Sequence, residues 1–178
     1  MLEVICGGMF AGKSELLIHR LNRASYAKKK IVAFKPAIDN RYSEHEIASH
    51  SGLKYKCVCI TNPSEIYDFL GNNTVDVIGI DEAQFLSKDI EAVVQDLNSW
   101  NAFDIYIAGL DLDSNGVPFG SMPYLLALAD KVTKVAAVCT WCGKDATRSQ
   151  RVVESTEQVL VGAADSYEAR CKTHWSPQ

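Results

Sequence analysis

Short apolar runs alternate along the chain with stretches in which apolar residues recur every three or four positions. Residues 2–6 (LEVIC) read as a buried strand. A glycine-bearing turn follows, then a helix to about residue 27 whose apolar face is Leu16, Leu17, Leu21 and Ala24. Residues 31–34 predict a second strand, stopped by Pro36, and residues 36–52 read as a polar, irregular loop. A strand is expected over 55–60, then a helix opened by Asn62-Pro63-Ser64-Glu65, with Asn62 as N-cap and Glu65 at the third helical position. Residues 75–80 predict a strand ending in Asp81-Glu82. Ser87 is expected to cap the next helix, which carries Ile90, Val93, Val94 and Leu97 on one face. Strands at 104–108 and 132–138 flank a loop to Gly120 and a helix over 121–130. Strands alternating with helices predict a parallel sheet covered on both faces.

The pattern changes at Cys139. Beyond it only 151–153 and 158–161 are β-prone, and apolar residues are too few for a self-sufficient core. The 178 residues therefore divide into an α/β unit, 1–138, and a small appended subdomain, 139–178, that needs a staple. No apolar run approaches the roughly 18 residues that would cross a bilayer. The first six residues, with acidic Glu3 and no basic flank, do not read as a secretory signal, so a reducing, cytoplasmic setting is expected. The net charge of −4 and the short basic run Lys28-Lys29-Lys30, read as a solvated helix end, argue against a nucleic-acid-binding face.

Residues 7–14, GGMFAGKS, fit G-x-x-x-x-G-K-[ST] without mismatch, between a predicted strand and a predicted helix. Small residues let successive backbone N–H groups converge on phosphate oxygens, and the helix N-terminus favours the anion. Lys13 would then reach the β- and γ-phosphates, and the Ser14 hydroxyl would serve Mg²⁺. Such a loop needs an acid at the end of a neighbouring strand to hold the metal. Asp81 has that position, which leaves Glu82 to orient or deprotonate a nucleophile, with a raised pKa if it is desolvated. Kinase and ATPase both remain open at this point.

Six cysteines in a reducing setting point to metal or redox chemistry rather than disulfides. Cys139-x-x-Cys142 and Cys171-x-x-His174, with 28 residues between them, supply four ligands suited to tetrahedral Zn²⁺. A filled Cys₃His shell is structural, and it would tie together the ends of the weak segment. Cys6, Cys57 and Cys59 read as ordinary strand residues.

Taken together, the motifs resemble the thymidine kinases of the cellular and bacterial type, the tetrameric, zinc-containing class. The marks are GGMFAGKS at 7–14, KPAIDNRYS at 35–43, IGIDEAQF at 78–85, GLDLDSNGVPFG at 109–120, the two knuckles, and VGAADSY at 161–167. The resemblance implies a P-loop NTPase-like sheet plus a zinc ribbon-like subdomain carrying a lasso loop. It also implies transfer of the γ-phosphoryl group of ATP to the 5′-hydroxyl of thymidine, giving dTMP and ADP. Glu82 then stands as catalytic base, with Asp39 and Arg41 near the 5′-hydroxyl and the transferred phosphate. The ATP site would comprise Gly7, Gly8, Met9, Phe10, Ala11, Gly12, Lys13 and Ser14 with Asp81, Glu82, Ala83 and Gln84. Met9, Phe85, Leu110, Phe119 and Ser149 match positions lining the thymine pocket, and Gly162 and Tyr167 match the lasso. A homotetramer is implied, with dTTP as a possible feedback inhibitor and neither membrane nor nucleic acid as partner. The chain departs from the family pattern at Ser114, where Phe or Tyr usually stacks on the base, and at Gly8, Ala11 and Ala163.

Overall fold

The first strand, β1 (Leu2–Cys6), is buried along its whole length, and successive residues serve opposite faces of a sheet. Leu2, Val4 and Cys6 enter one apolar cluster, while Ile5 enters another on the opposite face. A computed structural model describes residues 1–39, 45–49, 51–153 and 166–177 of the chain. Arg41, Gly162, Ala163 and the β-prone stretch 158–161 lie outside the described residues.

After β1 come α1 (Lys13–Tyr26), β2 (Ile31–Pro36), β3 (Glu46–Ala48), β4 (Lys54–Lys56), β5 (Val58–Ile60), α2 (Glu65–Asn72) and β6 (Val77–Ile80). A single 3₁₀ turn, Ala83–Phe85, leads to α3 (Ile90–Ser99), β7 (Asp104–Gly109), α4 (Met122–Leu128) and β8 (Lys131–Lys134). Six strands form one sheet in the order β5-β2-β6-β7-β1-β8, every neighbouring pair parallel. Helix α1 packs on one face through Leu17, Ile18 and Leu21. Helices α2, α3 and α4 cover the other through Ile66, Ile90, Val93, Val94, Leu97, Met122 and Leu125. The expected parallel sheet with helices on both faces is therefore present. Because β7 lies between β1 and β6, the segments that follow these three parallel strands open side by side at the carboxyl end of the sheet. That end is where parallel sheets bind ligands.

Beneath α1 the sheet buries the Glu3 carboxylate. Glu3 is 1% exposed and accepts hydrogen bonds from Arg20 Nε at 3.0 Å and the Thr133 hydroxyl at 2.7 Å, with Lys131 Nζ at 3.2 Å. Burial alone would raise its pKa, but Arg20, Thr133 and Lys131 draw it down to about 2.

Several local expectations change. Part of the 36–52 stretch forms a hairpin, β3 with β4, which lays Ile47 on the α1 side of the sheet. The strand expected at 55–60 divides at Cys57, whose N–H donates to the His45 carbonyl at 2.9 Å. β4 thus belongs to the hairpin and β5 to the main sheet. The strand expected at 132–138 divides at Val135–Ala136, where the chain leaves the sheet for β9 (Ala137–Val138), paired antiparallel with β10 (Asp145–Ala146). The hydrogen bonds of the expected cap before α2 form, Asn62 Oδ1 accepting from Ser64 N–H at 3.1 Å and Glu65 Oε1 from Asn62 N–H at 2.7 Å. They close the turn ahead of the helix, whose N-cap is Ser64 and whose first residue is Glu65. Ser87 does not cap α3; its hydroxyl goes to the Asp89 carboxylate at 3.1 Å instead.

A second antiparallel pair, β11 (Arg148–Arg151) with β12 (Tyr167–Arg170), completes the C-terminal segment. Among the described residues its core is Ala137, Cys139, Ala146, Ala169 and Cys171, with Phe10 and Ala11 packed against it. Just past His174, Trp175 donates its indole N–H to the Ser114 carbonyl at 3.0 Å, fastening the segment to the loop after β7. Among the described residues, no helix is long and apolar enough to cross a membrane.

Candidate active site and metal centre

At the end of β1 the chain turns sharply under Val135. A Cβ on Gly7 would stand 2.2 Å from the Val135 carbonyl oxygen, and its φ of +148 lies outside the range of L side chains, so only glycine fits. The loop continues through Phe10 (φ 64) and Gly12 (φ 77), and α1 begins at Lys13. No side chain caps that helix, so its first N–H groups are presented to the cleft above. Lys13 is buried, and its Nζ donates to the Gly8 carbonyl at 2.7 Å.

From the end of β6, Asp81 approaches the same loop and the Ser14 hydroxyl, which favours its charged form. Burial first, and the adjacent Glu82 charge second, push the Asp81 carboxyl up, against the Ser14 hydroxyl, the Glu82 N–H and Lys13. A buried carboxylate beside a hydroxyl, both at the anion-binding loop, is an oxygen donor set suited to Mg²⁺. Glu82 adopts left-handed backbone angles (φ 50, ψ 40), costing about 1–2 kcal/mol for a residue with a Cβ. Its carboxylate accepts from Gln84 Nε2.

One cleft gathers residues 9–14, Asp39, Asp81, Glu82 and Leu110 from among those singled out in the sequence. It also takes in Glu15, Ala48 and Ser49, which sequence reasoning missed. Ala48 and Ser49 come from the end of β3 and the residue after it, and the Ser51 hydroxyl ties the hairpin to Glu15 at 3.0 Å. Of these, only Glu15 carried a readable signal, its place next to Ser14 in the first turn of α1.

Gly7, Gly8, Ala83 and Gln84 sit behind the cleft surface, all buried. Phe85 and Phe119 meet edge to face, centroids 5.6 Å apart. Ser149, on β11, accepts the Met9 N–H on its hydroxyl at 2.9 Å, so the C-terminal segment braces the phosphate loop. Tyr167, on β12, is buried, with its hydroxyl 3.1 Å from Arg151 Nη2.

At the other end of the C-terminal segment the four ligand atoms of Cys139, Cys142, Cys171 and His174 lie within 4.8 Å of one another. Cys142 and Cys171 sulfurs are 3.8 Å apart, and His174 Nδ1 is 3.7 Å from Cys139 and 3.3 Å from Cys171. A tetrahedral zinc about 2.3 Å from each sulfur gives S···S edges of about 3.8 Å, so the residues fit the ion. Burial would raise the Cys139 thiol, but the N–H groups of Cys171, Trp141 and Cys142, with His174, bring it down to about 5. Cys57, by contrast, is pushed up to about 12 by burial and then by Cys59, which makes it an inert thiol.

The sequence profile described as thymidine kinase matches residues 1–175. The chain belongs to the thymidine kinase family. The Cys₃His cluster fits the zinc-containing type of that family. Two solved structures are similar to this thymidine kinase family member at low identity. One is a DNA replication initiation factor, 13% identical over 75% of this chain and 40% of that one, with a TM-score of 0.44. The other is domain III of the Thermotoga maritima replication initiation protein DnaA, 14% identical over 75% and 54%, with a TM-score of 0.42. This thymidine kinase family member thus spans about half the length of either, or less.

Proposed function

We propose that this protein transfers the γ-phosphoryl group of ATP to the 5′-hydroxyl of thymidine. The observation that carries this reading is the meeting, in one cleft, of the phosphate-binding loop with the adjacent acids Asp81 and Glu82. The N–H groups of residues 9–14 and the Lys13 ammonium hold the triphosphate. Asp81 and Ser14 would hold Mg²⁺, which when bound offsets charge on the β- and γ-phosphates. Glu82 accepts the proton of the 5′-hydroxyl as its oxygen attacks the γ-phosphorus. The bond from that phosphorus to the β–γ bridging oxygen breaks, and ADP departs. Asp39, at the cleft wall, and Arg41 steady the attacking and transferred groups. Met9, Phe85, Leu110, Phe119, Ser149, Gly162 and Tyr167 receive the nucleoside.

This reading divides the chain into an ATP-binding unit, residues 1–138, and a zinc-stapled lasso unit, 139–178. It also takes the working enzyme to be a cytoplasmic homotetramer open to inhibition by dTTP.

Purified protein with MgATP is expected to convert thymidine to dTMP. Glu82→Gln should lower kcat by about 100-fold or more while leaving ATP affinity intact. ATP turnover indifferent to thymidine but raised by single-stranded DNA would replace the kinase with a motor. Undiminished kcat in Glu82→Gln would remove Glu82 from its role.

A further inference from the structure

Gln84 makes no wall of the cleft, yet both ends of its amide are engaged. Its side chain is buried at 3% exposure in the 3₁₀ turn Ala83–Phe85, directly behind Glu82. Oε1 accepts the Leu110 N–H at 2.9 Å, and Nε2 donates to Glu82 Oε2. A backbone N–H can only donate, so Leu110 fixes which end of the amide is oxygen. The NH₂ end is thereby committed to the Glu82 carboxylate.

The surroundings are shaped to this side chain. A Cβ on Gly109 would stand 2.9 Å from Gln84 Oε1 and 2.6 Å from Met122 Sδ. A Cβ on Gly120 would stand 2.5 Å from the Gln84 carbonyl oxygen. The two glycines that bound the loop 110–119 thus make room for one residue, its amide on one side and its backbone on the other. Glu82 needs such a brace. A glutamate side chain turns about three bonds and loses roughly 1.5–2 kcal/mol of rotamer freedom when fixed. Its backbone is already in the sparsely populated left-handed region. A charge-assisted hydrogen bond from behind holds one carboxylate oxygen and limits how the group can turn.

We infer that Gln84 is a positioning residue: its amide aims the Glu82 carboxylate into the cleft and couples that aim to Leu110 at the start of the loop 110–119. The inference rests on Glu82 acting as the base in the proposed kinase. It differs from a direct ATP contact at Gln84 because the amide faces a carboxylate and a peptide rather than the cleft. Ordering of the loop by a nucleoside is then felt at the base through a single amide.

The test is steady-state kinetics of the full chain with MgATP and thymidine, using Gln84→Met, Gln84→Glu, Glu82→Gln and the double variant Glu82→Gln with Gln84→Met. Gln84→Met keeps length and bulk but cannot hydrogen-bond. It should lower kcat by about 10- to 100-fold, the cost of a misaimed catalytic group, with KM for ATP within about twofold of wild type. Gln84→Glu sets an acceptor against both the carboxylate and, if ionised, its charge, and should lower kcat at least as far. The double variant should be no slower than Glu82→Gln alone, because a brace has no work once the base is gone. Nucleotide binding at wild-type affinity shows that the fold is intact; should Gln84→Met fail that check, Gln84→Glu is read in its place. Wild-type kcat in a folded Gln84 variant overturns the inference, as does a loss that adds in full to that of Glu82→Gln. A large rise in KM for ATP with kcat retained overturns it too, making Gln84 a nucleotide contact. Unchanged turnover in Glu82→Gln overturns the base assignment and the inference together.

Discussion

Strands β1, β6 and β7 bury aliphatic side chains on the α2–α4 face of the sheet, among them Leu2, Val4, Ile78, Ile80, Ile105 and Ile107. Among the described residues, the pairs β9–β10 and β11–β12 share a core of three alanines and two cysteines. Each large aliphatic group removed from water contributes about 1.5–3 kcal/mol, whereas an alanine methyl contributes a fraction of that. The two cysteines of the smaller core are themselves ligands of the Cys₃His cluster. One region is therefore stabilised by solvent exclusion spread over many residues, whereas the other would draw on a few bonds to one ion at the Cys₃His cluster. Spread stabilisation fails gradually with substitution; stabilisation through an ion fails all at once.

The largest expected effect separates the two directly. A strong chelator, or Cys142→Ser, should remove about one zinc per chain and with it binding energy on the order of 10 kcal/mol. Amides of β9, β10, β11 and β12 should lose hydrogen-exchange protection while those of β1, β6 and β7 keep theirs. Uniform loss of protection would mean that the sheet also depends on the metal. Phosphate-loop affinity should fall in step, because Met9 leans on Ser149 and Phe10 packs on the small core.

The converse perturbation is a cavity in the sheet. Ile105→Ala should cost about 2–5 kcal/mol in urea denaturation without changing zinc affinity. A drop in zinc affinity would show that the two cores are one. Smaller again is the buried charge. The Glu3 carboxylate titrates at about 2 in the folded protein against 4.5 as a free group. Its contribution is thus fully present above 4.5 and fades as pH falls towards 2. Glu3→Gln should cost roughly 2 kcal/mol at pH 7, a figure discounted because Lys131 stands half in solvent. A wild-type advantage that stays level from pH 7 down to 3 would remove the ion cluster as its cause. Smallest is Asn62→Ala, about 1 kcal/mol through the lost side-chain hydrogen bond in the turn that leads into α2, read as a small shift in Tm.

What the sequence made legible follows the same division of forces. LEVIC reads as a strand because every one of its residues is buried, and GGMFAGKS reads because Gly7 and Gly12 answer local backbone demands. The cysteine and histidine spacing reads because ligand geometry is also local. The hairpin β3–β4 does not read: its strands have three residues each, and Ile47 is their one fully buried side chain. Ala48 and Ser49 reach the cleft only through that hairpin. The break at Val135 is invisible in a run of apolar residues, since a change of pairing partner leaves no mark on hydropathy. Gln84 reads as part of a motif, but its task depends on Leu110, 26 residues away, and no periodicity links the two.

The bond from Lys13 to the Gly8 carbonyl has a consequence for the timing of recognition. An ammonium on a free, extended stem would have to be recruited from many rotamers whenever a nucleotide arrived. Here the lysine is drawn into the curve of its own loop, its stem buried and its head on a carbonyl 2.7 Å away. Most of the ordering cost is met when the chain folds, so binding becomes an exchange of one acceptor for another. The loop therefore holds a rehearsed shape, and the speed of capture is set by diffusion and by that exchange rather than by a search among conformations.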